Sequence, residues 1–431
     1  MPAMRTGITT GACAAAAAKA AAIVLLRLHP DFASSCVAGV PPASLAVSSS
    51  RQQQDRAGTA LEHMGKMPMP HEDADKMSAT HAGETPATHA GKMPAPRTCG
   101  LPLGEQPPGQ VEVTLPGGQS LTVPILWARL TDDKQKATAS VRKDAGDDPD
   151  VTNGLEVVVT VSFAAGAETI FLGGDGVGTV TKPGLQIPPG QPAINPGPRR
   201  MIARAIADVT AHSMCVEVAI PGGAEIAQKT YNPRLGIVGG LSVLGTTGIV
   251  RPYCKKALLD SLKCELDVAA ACGVRALVLT PGNIGAKAVR RRFALADEQV
   301  VEVGNEWGFV ADALANNYAF KAILIAGHPG KLAKLAAGDW DTHSSRSQSA
   351  VPFVQSLGEK TLGRPIAPAT TTEGLFAALD EPDRRRLADE LAHLVRESLW
   401  NGIKQKSQVA VLLADMTGNE LGGDGDFSPW Q

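Results

Sequence analysis

The sequence predicts a fold that combines α/β and α+β organisation, with a strand-rich N-terminal domain and a Rossmann-like parallel-sheet C-terminal domain. Three observations predict it. An alanine-rich helix opens the chain, short segments of period-two alternation extend to about residue 230, and strand, glycine loop and helix then alternate repeatedly. The length of 431 residues agrees with more than one domain.

The composition narrows the class of protein. Hydrophobic residues make up 44% of the chain, enough for packed cores, whereas 4% aromatic residues disfavours aromatic platforms for nucleic acid. A formal net charge of -2 gives no overall attraction to nucleic acid or to an anionic membrane. The seven cysteines contain no C-x-x-C pair, which disfavours a disulfide framework and a zinc site. We therefore expect a cytoplasmic protein with no metal site.

The first predicted helix covers residues 12 to 27 and is built almost entirely of alanine, the strongest helix former. A basic residue followed by an apolar stretch is also typical of a secretory signal, but Lys19 interrupts that stretch. Thr9, Thr10 and Gly11 instead suit the N-cap of a soluble helix. No uninterrupted apolar run reaches the roughly 20 residues of a membrane-spanning helix, so we expect no membrane partner.

Residues 28 to 110 differ sharply from the rest of the chain. They are rich in Pro, Ser, Gln, Met and His and contain near-copies such as GKMPMP and GKMPAP. A segment of this composition buries too little apolar surface to offset its chain entropy. We therefore expect a disordered, low-complexity insertion.

Strand signals return after the insertion. VEVTLPGGQSLTVP, residues 111 to 124, alternates on both sides of a Pro-Gly-Gly turn and predicts a hairpin. CVEVAIPGGAEIAQ, residues 215 to 228, repeats that pattern, and GLEVVVTVSF, residues 154 to 163, predicts another strand. Residues 1 to 27 and 111 to 230 are therefore expected to form one α+β domain.

Four strand, loop and helix units follow. GIVGGLSVL precedes GTTG and a helix from about residue 252 to 272, and VRALVLT, QVVEV and KAILIAG each precede a glycine loop and a helix. Such units predict a parallel sheet covered by helices over residues 231 to 350, with ligands at the carboxyl ends of the strands. Residues 351 to 431 are expected to add helices and a closing strand, VAVLLAD.

Thr-Thr-Gly occurs twice, at residues 9 to 11 and 246 to 248. Before a helix, such a turn presents hydroxyls and free N–H groups at the positive end of the helix dipole, where an anion can bind. Arg251 lies beside the second copy, and Pro252 suits a first helical turn. Plain helix capping explains one copy equally well, and two copies flanked by arginine leave the two interpretations balanced.

The loop LTPGNIG resembles a dinucleotide-binding loop but lacks the full G-x-G-x-x-G pattern. Glu302 strengthens the resemblance, because it ends the next predicted strand, where an acid commonly bonds ribose hydroxyls. Taken alone, Glu302 is more typical of a strand-end charge in solvent. No Walker A sequence occurs, which disfavours ATP-driven chemistry.

Residues 140 to 154, SVRKDAGDDPDVTNG, form an unusually polar loop. Crowded carboxylates raise one another's pKa, which makes Asp147 and Asp148 candidates for proton transfer. A solvated turn has the same composition and is the alternative. An EF-hand is excluded, because Val159 stands where the calcium loop requires glutamate.

Residues 173 to 202 are rich in glycine and proline and end in two arginines, and a long ordered loop of this kind is usually functional. The basic side chains that suit a polycarboxylate are Lys182, Arg199, Arg200, Arg234 and Arg251. Separate surface charges are the alternative. GHPGK and DTHSSR add His328, Lys331 and His343, although a loop histidine is more often a surface residue than a base.

Eight segments in order resemble one known family, the cobalt-precorrin-5B C1-methyltransferases of anaerobic cobalamin biosynthesis. They are RTGITTGACAAAAAKAA, RKDAGDDPDVTNG, GGDGVGTVTKPGL, AINPGPRRMI, NPRLGIVGGLSVLGTTGIVRP, LTPGNIG, GHPGKLAKLAAG and DTHS. The resemblance covers residues 4 to 27 and about 111 to 346, with a weaker tail. The insertion at 28 to 110 and the polar VEVGNEWG depart from the family pattern.

The resemblance implies an enzyme that transfers a methyl group from S-adenosylmethionine to ring carbon C1 of a cobalt-corrinoid intermediate, with cobalt only as part of the substrate. Neighbouring cobalamin-pathway enzymes are further candidate partners. We expect the donor at Gly282, Asn283, Gly285, Glu302, Gly327, His328 and Gly330. The acceptor's carboxylates are expected at Thr9, Thr10, Lys182, Arg199, Arg200, Arg234, Thr246, Thr247, Gly248 and Arg251. The candidate bases are Asp147, Asp148 and His343, in that order.

Two other classes explain part of the sequence. A nucleotide-dependent α/β enzyme such as a dehydrogenase accounts for the strand and helix units but not for the repeated Thr-Thr-Gly. A non-catalytic tetrapyrrole carrier accounts for the basic loops and needs no donor site. Binding of NAD would indicate the first class, and binding of corrinoid without affinity for the methyl donor would indicate the second.

Overall fold

The computed structural model describes residues 4–28 and 108–431. Apart from its first and last residues, the predicted insertion lies outside the described residues. We call residues 4–28 and 108–250 the strand-rich half and residues 255–431 the parallel-sheet half. Together they give a mixed α/β protein with several sheets, as the sequence predicts.

The elements of the strand-rich half are β1 Gly7–Ile8, α1 Thr10–Leu28, β2 Gln110–Thr114, β3 Ser120–Pro124, β4 Trp127–Leu130, β5 Lys136–Arg142, β6 Glu156–Phe163, β7 Ile170–Gly173, β8 Thr179–Val180, α2 Pro196–Ala207, β9 Met214–Ala219, α3 Gly223–Ala227, β10 Ile237–Val238 and β11 Ile249–Val250. Five of these strands form a sheet in the order β4-β5-β6-β9-β7. Its pairs are antiparallel except β7 with β9.

Helix α1 is the core of this half, and its predicted range is confirmed. The alanines from Ala12 to Ala22 are at most 1% exposed, and the helix packs on β5, β6 and α2. Because alanine carries only a Cβ atom, neighbouring elements approach the helix backbone closely. Within the described residues, α1 alone is long and apolar enough to cross a membrane, and 78% of its apolar window is buried inside the protein.

One of the two predicted hairpins is present. β2 and β3 pair antiparallel across the turn at residues 115 to 119, as predicted. The second prediction is wrong, because β9 leads into α3 rather than into a returning strand. β9 already has β6 on one side and β7 on the other, so no free edge remains for a hairpin partner. Gly223 then packs so closely on Gly176 that a side chain at Gly223 would overlap the Gly176 carbonyl.

The elements of the parallel-sheet half are α4 Lys255–Ala271, β12 Ala276–Thr280, α5 Asn283–Arg292, β13 Val300–Glu302, α6 Trp307–Asn317, β14 Ala322–Gly327, α7 Pro329–Ala336, α8 Val351–Leu362, α9 Thr372–Ala377, α10 Glu381–Gly402, β15 Gln408–Ala414 and β16 Glu420–Asp424. The strands form one sheet in the order β13-β12-β14-β15-β16. The first four are parallel, and β16 runs antiparallel to β15. The predicted parallel sheet is therefore present.

Alternate side chains of these strands face two different helix layers. Leu277 and Leu279 pack with α4, α6, α7 and α10 on one face. Ala276 and Val278 pack with α5 and with Trp430 near the C-terminus on the other. Strands buried on both faces read as continuous apolar runs, which is why VRALVLT and KAILIAG are strong strand signals.

The strand segment of the first predicted unit, GIVGGLSVL, is not part of this sheet, although the helix that follows it, α4, packs on the sheet. β10 pairs with β8 and β11 pairs with β1, so the segment belongs to the strand-rich half. Its backbone bonds go to the loop before α2: Leu241 N–H donates to Gly176 and Val243 N–H donates to Ala193. The helix that follows begins at Lys255, so Pro252 lies before it rather than in its first turn.

Candidate active site

The parallel sheet creates a crevice where its strand order reverses. From β12 the chain moves to β13 on one side and then to β14 on the other. Ligands of open parallel sheets bind at the carboxyl ends of the strands beside such a reversal. The loops after β12 and β14 meet there: a side chain at Gly285 would overlap the Ala326 carbonyl, and one at Gly327 would lie 2.7 Å from the Pro281 ring. The structure thus brings the two predicted glycine loops together.

The first turn of α5 is open at this crevice. Gly282 is its N-cap and supplies no side-chain cap, and Asn283 is exposed. No atom lies within 4 Å of the position that a Cβ on Gly282 would occupy. The backbone N–H groups at the start of a helix are suited to a ligand that accepts hydrogen bonds.

The first turn of α7 is capped by protein groups instead. His328 Nδ1 accepts a hydrogen bond from Gly330 N–H at 3.0 Å, and Nε2 lies 2.7 Å from Glu373 Oε2. Because Nδ1 accepts, Nε2 carries the proton and donates to the carboxylate. His328 and Gly330 therefore have a structural role here, and their predicted contact with the donor stays a prediction.

Glu302 is the last residue of β13 and lies opposite Thr280 of β12. Its side chain forms an ion pair with a residue of the strand-rich half. Arg234 donates to Glu302 Oε1 at 2.8 Å, and its guanidinium also lies 5.7 Å from the ring centre of Tyr231. A residue predicted for the donor and one predicted for the acceptor are thus joined in one ion pair. Glu302 keeps one carboxylate oxygen without a partner among the described residues.

Glu265 on α4 faces this pair, and the sequence reasoning missed it. It is 5% exposed, and its Oε1 has no hydrogen-bond partner among the described residues. Burial raises the pKa of Glu265 to about 7; the Arg234 charge opposes this and the Glu302 charge adds to it. A signal did exist: Glu265 shares the apolar stripe of α4 with Leu262 and Ala269, where a carboxylate is unexpected.

The two Thr-Thr-Gly copies lie against each other. Thr9 N–H donates to the Gly248 carbonyl at 3.0 Å, and Gly11 N–H donates to the Leu244 carbonyl at 3.0 Å. The Thr9 hydroxyl accepts from Ala12 N–H at 3.2 Å and caps α1. Strand β11 separates the second copy from α4, so the predicted helix is present but the turn does not form its N-terminus. The first copy is a buried helix cap whose amides are already used.

The second copy remains accessible. Thr246 and Thr247 are exposed, whereas Thr9 and Thr10 are buried. The start of α2 lies beside it, because a Cβ on Gly197 would be 3.2 Å from the Gly245 carbonyl oxygen. The candidate contacts to an anion therefore concentrate on the second copy.

The five predicted basic residues differ in availability. Lys182 pairs with Glu298 at 2.8 Å across the two halves. Arg199 donates to the Ile194 carbonyl at 2.8 Å, and burial lowers its pKa. Arg200 and Arg251 are exposed and form no side-chain hydrogen bond or ion pair with the part of the chain that is described. Arg200 and Arg251 are consequently the arginines free to meet an acidic ligand.

Cations hold two carboxylates of the acid loop, Asp144 and Asp150, and the pKa of each is lowered rather than raised. Hydrogen bonds from Arg5 lower the pKa of Asp144. Burial favours a higher pKa for Asp150, but hydrogen bonds from Lys143 and Thr152 outweigh it and lower the pKa. For Asp144 and Asp150, crowding of carboxylates is therefore not the dominant effect.

The three candidate bases lie in two places. Asp147 Oδ2 accepts from Arg5 N–H at 2.6 Å, and Asp148 Oδ1 accepts from Tyr253 N–H at 3.1 Å. His343 lies after α7, and its Nδ1 accepts from Ser345 N–H at 3.2 Å. No hydrogen bond joins His343 to either aspartate.

A mostly parallel sheet whose order reverses beside an uncapped helix is the arrangement of α/β proteins that bind small ligands at their strand ends. The chain is 47% identical to the cobalt-precorrin-5B C(1)-methyltransferase of Syntrophotalea carbinolica over 77% of this chain and 93% of the relative. Identity to the enzyme of that name from Methanocaldococcus jannaschii is 40%, over 72% and 88%. The chain belongs to the cobalt-precorrin-5B C(1)-methyltransferase family.

Two further comparisons also returned matches. The CbiD family model matches residues 73–252. The crystal structure of a cobalamin biosynthesis protein (cbiD) from Archaeoglobus fulgidus matches 80% of this chain and 83% of its own, with 24% identity and a TM-score of 0.33.

Proposed function

We propose that this chain transfers a methyl group from S-adenosylmethionine to ring carbon C1 of cobalt-precorrin-5B, in the cytoplasm. The observation that carries the proposal is the 47% identity to a relative of that name over 93% of the relative's length. Cobalt enters as part of the substrate. Other enzymes of cobalamin biosynthesis are the candidates that supply the acceptor and take the product.

The crevice at the carboxyl edge of the parallel sheet, which we interpret as Rossmann-like, is the proposed donor site. Its residues fit the group: one Glu302 oxygen has no partner among the described residues and suits ribose hydroxyls, and the N-terminus of α5 at Gly282 has no side-chain cap within them. Gly285 and Gly327 let the two loops approach each other. When bound, S-adenosylmethionine supplies an electrophilic methyl group.

The proposed acceptor site lies on the strand-rich half, around the second Thr-Thr-Gly copy. Arg200 and Arg251 have no side-chain partner among the described residues, and Thr246 and Thr247 are exposed beside the start of α2, although the Thr247 hydroxyl also bonds to Ile249. A corrinoid precursor carries many acetate and propionate groups, which arginine and hydroxyl donors bind. A base that keeps the accepting ring carbon electron-rich is proposed among Asp147, Asp148 and His343, in that order.

We also propose that the two halves are separate domains, with the boundary in the chain between residues 250 and 255. Within the described ranges, two ion pairs join them, Lys182 with Glu298 and Arg234 with Glu302. Both acids belong to the segment around β13, next to the donor site. Alignment of donor and acceptor supplies much of the rate enhancement of a methyl transfer. In well-aligned reactions it lowers the activation free energy by about 7 kcal/mol or more.

Isothermal titration with S-adenosylhomocysteine and, separately, NAD tests this proposal. We expect saturable binding of S-adenosylhomocysteine, weakened about tenfold or more in Glu302→Ala, since a lost charge-assisted hydrogen bond costs roughly 1.5–3 kcal/mol. Glu298→Ala is the matched control, because it also removes an acid that pairs across the two halves. Binding of NAD instead would indicate a dehydrogenase. Binding of corrinoid alone would indicate a carrier.

A further inference from the structure

We propose that Lys331 binds the carboxylate at the amino-acid end of the methyl donor. The inference rests on the proposed function, because it assigns one contact within the proposed donor site. From the sequence alone, Lys331 is only a basic residue in the loop GHPGK. Its evidence is the position of the Lys331 ammonium group and the lack of a counter-charge around it.

Lys331 lies at the centre of the carboxyl edge of the sheet. It is the third residue of α7, and its Nζ donates to Asn305 Oδ1 at 3.0 Å. Asn305 follows β13 and Lys331 follows β14, and β12 lies between these two strands. The hydrogen bond therefore spans the carboxyl end of β12, where the loop with Gly282 begins. This places the ammonium group at the carboxyl edge of the sheet, next to the proposed donor site.

Lys334, one turn further along α7, adds a second positive charge. It is 8% exposed, and its Nζ donates to the Thr342 carbonyl at 3.1 Å and to Ser347 Oγ at 2.8 Å. Both acceptors are neutral. Neither Lys331 nor Lys334 forms an ion pair with any carboxylate in residues 4–28 or 108–431. Buried positive charge without a counter-ion is unfavourable, so an anion at this place would stabilise the protein.

Carboxylates on the adjacent loops are occupied by other cations. Glu306 lies 3.0 Å from Lys255, and Asp341 lies 3.2 Å from Arg346. Burial and the charge of Lys334 both lower the pKa of Lys331, as expected for an ammonium group that has no counter-charge. We infer that a ligand supplies an anion at this place.

The location decides which ligand supplies the anion. Lys331 shares the sheet edge with Glu302 and with the open first turn of α5, the residues proposed for the adenosyl part. The donor carries a single carboxylate, at the opposite end from its ribose and base. A carboxylate of the acceptor is the other source of the same chemistry. The experiment separates these two sources.

The test measures affinities of two ligands by isothermal titration. S-Adenosylhomocysteine carries the amino-acid carboxylate, and 5′-methylthioadenosine has the same adenosine and thioether without it. The variants are Lys331→Met and Lys331→Gln, with Lys321→Met as control. Lys321 is exposed at the opposite end of β14, and its side chain has no partner among the described residues.

We expect Lys331→Met to weaken S-adenosylhomocysteine about tenfold or more and to leave 5′-methylthioadenosine unchanged within about twofold. Lys321→Met should change neither affinity. Equal weakening of both ligands would overturn the inference, because the lysine would then act on the fold. Unchanged affinity for S-adenosylhomocysteine would also overturn it and would leave the acceptor as the source of the anion. If the wild type binds neither ligand, the proposed function fails, and the inference fails with it.

Discussion

Glu265 shows how one buried side chain ties the stability of the protein to pH. Its carboxyl group lies beside the ion pair of Arg234 and Glu302, and one of its oxygens has no partner in the described part of the chain. Burial penalises the charged form, so the folded protein keeps the proton to a higher pH than the unfolded chain does. Glu265 is therefore neutral through part of the pH range in which other glutamates are charged.

Glu265→Gln should stabilise the protein at alkaline pH. The pKa of Glu265 is about 7 in the folded protein against an ordinary value of 4.5. The folded state thus binds more protons between these values, and the free energy of unfolding falls as pH rises through that window and is level above it. Glutamine stays neutral, so its advantage over glutamate grows from small at pH 5 to about 3 kcal/mol at pH 8.

Urea unfolding at pH 5 and pH 8 measures this difference. Glu168→Gln is the control, because Glu168 is exposed and has no partner among the described residues. The control should change stability equally at the two pH values. A difference between Glu265→Gln and the wild type that does not depend on pH would contradict the assignment of a buried, protonated carboxyl.

At this scale the sequence predicts residues at strand ends better than residues inside helices. Gly282, Gly285 and Glu302 stand out because each follows an apolar strand, and the structure places them at one sheet edge. Glu265 and Lys334 lie within helices, where a polar residue is ordinary until the buried face is known. Partners distant in the chain, such as Arg234 for Glu302, have no local signature.

At the scale of elements, strand and helix units were identified where their partners are local. β12 with α5, β13 with α6 and β14 with α7 follow the predicted order. The segment GIVGGLSVL has the same local pattern, but its hydrogen bonds go to the loop before α2 and not to the parallel sheet. A strand's choice of partner depends on tertiary contacts, which periodicity does not contain.

The contact between α5 and β14 should tolerate no side chain at Gly285. A methyl group there would overlap the Ala326 carbonyl. We expect Gly285→Ala to destabilise the protein by about 1–3 kcal/mol in chemical denaturation, since overpacking forces the backbone apart. Gly117→Ala is the matched control, with no atom within 4 Å of the new Cβ. Equal stability of the two variants would show that the helix and strand are not in close contact.

At the scale of the whole molecule, the proposed boundary between the halves lies later in the chain than the predicted one near residue 230. Residues 237–250 pair with β8 and β1, so the strand-rich half extends to β11. The sequence predicts both kinds of architecture but not the residue at which the strand-rich half ends. The reason is that GIVGGLSVL, the last segment of the strand-rich half, has the same local pattern as the strand and helix units of the parallel-sheet half. The insertion lies outside the described residues and adds nothing to this comparison.

The two halves are coupled by the pair of Arg234 and Glu302. In a double-mutant cycle with Arg234→Met and Glu302→Gln, we expect a coupling free energy of about 0.5–1 kcal/mol from urea unfolding, because the pair is partly exposed. Repeating the cycle at high salt should reduce this value, since salt screens exposed charges. A coupling near zero at low salt would mean that the pair does not hold the halves together.

The measurement that tests the central claim most directly is turnover. The protein is incubated with S-adenosylmethionine carrying a labelled methyl group and with cobalt-precorrin-5B, and the corrinoid product is analysed by mass spectrometry and carbon NMR. We expect one labelled methyl group on C1 for each S-adenosylhomocysteine released, with the rate sharply reduced in Glu302→Ala and retained in Glu298→Ala. A corrinoid that is bound but stays unlabelled would contradict the proposed methyl transfer and indicate a carrier.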